Sequence, residues 1–205
     1  MAAAASEESR DEPGRDGTDR LRLALGIAAI GVSFGGIVAA MVLAPWFSLT
    51  GNALSDLGEV GRSTAGLFNL ALLVGGALGT AFVVTVWDDT DDPLRRGALV
   101  VLFVAMVCMS LVGAFPLPTA PHGLVAVSFF LTMTLGVLVW GLADLTGERP
   151  VRGGVLVVGV ALHVVSWLWW GLFAWPGEGV AVPELVGSAT LACWALWVAI
   201  EPFWR

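Results

Sequence analysis

The chain has 205 residues, 57% of them hydrophobic and 13% charged, with a mean hydropathy of +0.85; a soluble domain carries roughly 25% charged residues, so that class is excluded. The net charge is −7 and all ten cationic residues are Arg, a balance that excludes a nucleic-acid partner, which needs a basic footprint. What remains is an all-α fold, a polytopic six-helix transmembrane bundle with the lipid bilayer as its surroundings, because long apolar runs without strict alternation select helices over a barrel.

Residues 1–20 are polar and of mixed charge, and they read as a disordered acidic cytoplasmic tail ahead of a six-span membrane domain at 21–205. The tail lacks the basic start and short apolar core of a secretory signal. The first span is expected from about Leu21 to Ala44, ending at Pro45 and Trp46, and the second from about Ser63 to Trp87, with Ser63 or Thr64 as N-cap. The acidic turn DDTDDP at 88–93 lacks calcium-loop spacing and reads as solvated. The third span, about Gly97 to Phe115, stops at Pro116, Pro118 and Pro121; the fourth runs from His122 to about Leu145. The fifth covers about Gly153 to Phe173 and the sixth about Pro183 to Trp204.

Arginine sets the expected orientation in the cytoplasmic (plasma) membrane. With the N-terminus inside, Arg10, Arg15, Arg20, Arg22, Arg95, Arg96, Arg149, Arg152 and Arg205 are cytoplasmic and Arg62 alone is outside. Both termini are then cytoplasmic, and the 45–62 loop, the Pro116–His122 turn and the Trp-rich end of the fifth span share the outer side. The acidic, Lys-free composition points to a halophilic archaeal source.

The segment PWFSLTGNALSDLGEVGRSTAGLFN at 45–69 crowds polar groups beside long uncharged runs, so their hydrogen bonds must go to water, to each other or to a ligand. Asn52, Ser55, Asp56, Arg62, Asn69 and His122 are the candidate ligand-binding residues. NALSDLG reads as a short interfacial helix with Thr50 or Asn52 as N-cap and Gly58 as its stop. Ser55 and Asp56 then satisfy backbone donors or pair with Arg62, or else Asp56 faces His122 as a carboxylate orients a base, which makes Asp56 and His122 the candidate catalytic pair. Asn69, two turns into the second helix, is either interhelical glue or a pocket donor. His122 either bonds a carbonyl of the proline turn or transfers a proton.

Three stretches together, the one at 45–69, VGAFPLP at 112–118 and HGLVAVSFF at 122–130, resemble the family known as domain of unknown function 998, prokaryotic multi-pass membrane proteins. The matching residues are Asn52, Ser55, Asp56, Leu57, Gly58, Phe68, Asn69, Gly113, Phe115, Pro116 and His122, and the resemblance covers roughly residues 25–200. It implies the membrane fold but no settled activity.

Elsewhere the readings are structural. His163 is expected to be neutral and buried, bonded to a neighbouring helix, and Cys108 and Cys193 to be small buried hydrophobes. Trp167, Trp169, Trp170 and Trp175 read as an interfacial belt or the wall of a lipid groove. Glu184 suits the positive end of the sixth helix. Gly31 and Gly35, with Gly75 and Gly79, have the spacing that lets the first two helices approach closely. Two histidines are too few for a zinc hydrolase, so no metal and no cofactor is expected. The function so read is recognition of a small or lipidic ligand at an outward-facing polar pocket, or a structural and regulatory role in the envelope. The rivals are a hydrolase or transferase acting on a lipid headgroup through His122 and Asp56, and a small-molecule transporter. Nothing in the sequence reads out an oligomeric state.

Overall fold

The computed structural model describes residues 13–173 and 176–204. Six helices account for most of them: α1 (Pro13–Leu43), α2 (Ala65–Asp88), α3 (Pro93–Ala114), α4 (His122–Thr146), α5 (Pro150–Leu172) and α6 (Ala181–Ile200). All six are long and apolar enough to cross a membrane. A short 3₁₀ helix, Leu54–Gly58, lies between α1 and α2, and another, Glu201–Trp204, follows α6.

The boundaries follow local chemistry. Helix α3 begins four residues before the expected Gly97, because Asp92 caps it through Arg95 N (2.8 Å) and Pro93 takes the first position, where its missing N–H costs nothing. Pro150 opens α5 in the same way, three residues before the expected start. Helix α1 begins at Pro13, so residues 13–20 of the expected disordered tail are helical; residues 1–12 lie outside the described residues. Once the apolar run nucleates a helix, each further residue adds a hydrogen bond at little cost, which carries α1 past the charged residues.

Packing follows chain order from α1 to α4, and α6 closes the set by touching both α4 and α1. Five helices therefore form a ring, with α5 seated outside it against α4 and α6. Small residues set the close approaches. A Cβ added at Gly36 would fall 2.2 Å from Ala71 Cβ, and one at Gly75 would fall 2.6 Å from Ser33 Cβ, so α1 and α2 meet at Gly36 and Gly75. The expected partners differ in part: Gly31 and Gly35 face open space, and Gly79 meets Met106 of α3. Ring closure comes at Gly26, whose added Cβ would lie 2.7 Å from Ala199 of α6.

The two ends of the bundle are tied differently. At one end loops are joined by main-chain hydrogen bonds: Val60 N to Leu117 O (2.9 Å), Gly179 N to Thr50 O (2.8 Å) and Ala181 N to Asn52 O (2.9 Å). At the other end side-chain charges do the joining. Asp144 of α4, fully buried, accepts from Arg95 of α3 (2.7 Å) and, through both carboxylate oxygens, from Arg152 of α5 (2.5 and 2.7 Å). Arg152 also reaches Glu201 (2.6 Å), which Arg149 pairs as well. Helices α3, α4 and α5 and the 3₁₀ helix that follows α6 are thus clamped at the arginine-rich end.

Candidate functional site

The 45–62 loop folds back over the ring and forms a roof. Its order comes from short-range hydrogen bonds: Asn52 Oδ1 accepts from Ser48 N (2.9 Å), Asn52 Nδ2 donates to Asp56 Oδ2 (2.9 Å), and that same oxygen accepts from Ala53 N (3.0 Å). Asp56 thereby caps the 3₁₀ helix from inside its first turn, in the place expected of Thr50 or Asn52. Leu57 is fully buried, Thr64 donates to Leu57 O (2.8 Å), and Gly61, at φ 94°, makes the turn that returns the chain to α2.

Asn69 donates to Gly58 O (2.8 Å), which fixes the roof to the second turn of α2. A side chain at Gly58 would fall 2.3 Å from Asn69 Oδ1, and one at Gly113 would fall 2.3 Å from Asn69 O, so both glycines are required by this junction. His122, 5% exposed, holds Phe115 O at 2.8 Å through Nδ1 and closes the α3–α4 turn, which contains a cis Leu117–Pro118 bond. Arg62 pairs with Glu59 (2.8 Å) and lies 4.2 Å from the Trp46 ring centre; Asp56 is not its partner. Among the described residues no hydrogen bond or ion pair joins Asp56 to His122.

Of the six candidates, Asn52, Asn69 and His122 hold backbone groups, Arg62 sits at the surface, and Ser55 and Asp56 lie above the interior. Beneath the roof the ring encloses a narrow cavity of about 80 Å³. Its walls come from α1, α2, α3, α4 and α6, with Phe34, Phe82, Met106, Phe129 and Trp194 among them, and its polar groups are Ser33, Ser55, Ser188 and the carboxyl of Glu184. From Glu184 to Ala195 the α6 wall rises through eleven residues, about 16 Å at 1.5 Å each, or roughly half a bilayer core.

Glu184, read from the sequence only as an acid at the positive end of the sixth helix, also lines the cavity. It does sit in the first turn of α6, but its side chain leaves the helix end, is 8% exposed, and accepts from Leu54 N at 2.6 Å. The available signal was a carboxylate at the edge of a long apolar run, which has to find partners inside the protein. Asp144 carried the same signal. His163 is as expected: it is buried, bonds Pro183 O at 2.9 Å, and stacks on Phe130 with ring centres 5.8 Å apart.

Two surface expectations need adjusting. Cys108 is buried but Cys193 is exposed on α6, where a thiol facing lipid is still a small apolar group. Trp169 and Trp170 are exposed near the end of α5, whereas Trp167 packs edge-on against Phe130 and His163; Trp175 lies outside the described residues. No group of three or more His, Cys, Asp or Glu side chains placed to hold a metal occurs among the described residues.

The sequence model of one family, described as a protein of unknown function (DUF998), matches residues 27–201. No curated protein and no solved structure matches the chain.

Proposed function

The chain belongs to the DUF998 family of proteins of unknown function, and from the cavity we propose that it binds a single-chain lipidic ligand inside the five-helix ring. The observation that carries the reading is the cavity's shape and lining: about 80 Å³, walled by aromatic, Met and aliphatic side chains, with hydroxyl and carboxyl groups at its roof end. Sites for drug-sized ligands run to roughly 300–1,000 Å³, so this one suits a thin alkyl chain. The roof end faces outward in the cytoplasmic membrane, with both termini inside, because Arg22, Arg95, Arg96, Arg149 and Arg152 cluster at the opposite end. Ser55 lines the site from the roof, and Asp56 holds the turn beside it through Asn52 and Ala53. Asn52, Asn69 and His122 act on it by holding the roof in place.

A photoreactive alkyl probe tests this on the full chain in neutral-lipid nanodiscs. Crosslinks are expected on cavity residues such as Phe82, Leu191 and Trp194, and Ala192→Phe, which fills the space, is expected to remove them. Labelling confined to lipid-facing positions such as Val158 and Leu162, and unaltered by Ala192→Phe, overturns the reading.

A further inference from the structure

The lipidic-ligand reading leaves the polar end of that ligand undefined, and the charges under the roof define it. Glu184 Oε2 accepts from Leu54 N; among the described residues no donor reaches Oε1, and the residue lines the cavity. Asp56 and Glu184 hold adjacent amides of the roof, those of Ala53 and Leu54, which brings the two carboxylates to the same turn. Its Oδ2 is occupied by Asn52 and Ala53, and Oδ1 has no hydrogen-bond partner among the described residues.

Among the described residues no cationic side chain pairs with either carboxylate. Arg62, the one arginine in the roof, is held at the surface by Glu59 and Trp46. The other ion pairs among the described residues join side chains at the opposite end of the bundle. There the carboxylates of Asp144 and Glu201 are met by three guanidinium groups. Among the described residues, interior carboxylates at one end of the bundle are thus paired with guanidinium groups, and those at the other end, where the cavity lies, are not. A buried carboxylate beside a second one is costly unless it takes up a proton or a positive charge joins it, and a cavity that opens on it gives room for the second. Ser55 and Ser188 flank the same space and offer hydroxyl oxygens to N–H donors.

We infer that the ligand is a cationic amphiphile, a protonated amine on a single alkyl chain, whose ammonium group sits between Glu184 and Ser55 beneath the roof while the chain runs down the α6 wall toward Trp194. An inorganic cation would satisfy the charge but leave the apolar length below it unused. An anionic amphiphile would meet two like charges, and a neutral one would leave both carboxylates as they are. This inference rests on the lipidic-ligand reading, and the test separates the two.

Two photoreactive probes of equal chain length, an alkyl amine and an alkyl alcohol, are compared on the full chain in neutral-lipid nanodiscs by the crosslink yield on cavity residues. The amine is expected to label at concentrations at least tenfold lower, equivalent to about 1.4 kcal/mol. Glu184→Gln keeps an oxygen for Leu54 N and removes the charge, and is expected to bring the amine-to-alcohol ratio to about one. Asp56→Asn is a second variant, expected to lower the ratio partway. Equal labelling by both probes in the unaltered chain overturns the inference while leaving the cavity reading in place, as does a ratio unmoved by Glu184→Gln in a monodisperse sample. If neither probe labels the cavity, the lipidic-ligand reading falls and this inference with it.

Discussion

Two guanidinium groups converge on Asp144, and the arrangement shows how a charge persists inside an apolar helix. The carboxylate is fully buried, takes a two-pronged contact from Arg152 and a third bond from Arg95, and both cations lie near the Trp140 ring, at 6.0 and 5.7 Å from its centre. Removing one member of such a set strands the others without water, at a cost of about 3–5 kcal/mol, whereas replacing the group with apolar side chains of similar volume is often neutral. Asp144→Ala is therefore expected to lower the melting temperature sharply in detergent, and the double change Asp144→Leu with Arg152→Met to be milder than the single one. Equal losses from both would mean that the charges do not act as a unit. At the roof, Asn52, Asn69 and His122 follow the same economy, each meeting backbone atoms that would otherwise go unpaired.

Helices meet where side chains are smallest, and the sequence spacing of small residues locates those contacts only in part. Gly113 lets α3 lie against the backbone of α2 at Asn69 and Leu73, with a Cβ there 2.3 Å from Asn69 O and 2.7 Å from Leu73 N. Neither neighbour is a flexible side chain, so Gly113→Ala has to push two helices apart and is expected to cost about 1–3 kcal/mol. Gly31→Ala faces open space on α1 and is expected to leave thermal stability in detergent unchanged or slightly raised, since Ala is the better helix former. A melting temperature insensitive to Gly113→Ala would show that the α2–α3 contact is looser than this geometry. The pattern Gly31, Gly35 did not announce which glycine faces a partner, because helix rotation is decided by the whole packed face.

Six spans could be read from the order of residues because each is a run too apolar for water, and the polar 45–69 stretch stood out for the opposite reason. Ends were harder to place. Arg95, Arg96 and Arg152, expected ahead of the third and fifth spans, lie in the first turns of α3 and α5, where they pair with Thr90 O, Asp144 and Glu201. The cavity was not legible at all, since it exists only when five helices close a ring, and no local pattern encodes a space between distant segments. Sidedness of the whole molecule can be measured on a Cys193→Ser background. Val60→Cys, exposed near the roof, is expected to react with an impermeant maleimide in intact cells; Leu94→Cys, exposed at the arginine end, only after permeabilisation. The reverse pattern would invert the assigned orientation.

The roof's ties to its neighbouring loops consist of amide hydrogens of Val60, Gly179 and Ala181 meeting carbonyls of Leu117, Thr50 and Asn52. Every residue but proline supplies that amide, so most exchanges of side chain at these six places leave the stitching uncut. The side chains that hang from the canopy can therefore change at most of these places without rebuilding the frame. Glycines 177 and 179 bound that freedom, since a Cβ at either would fall within 2.2 Å of a carbonyl or amide atom of Thr50 or Asn52.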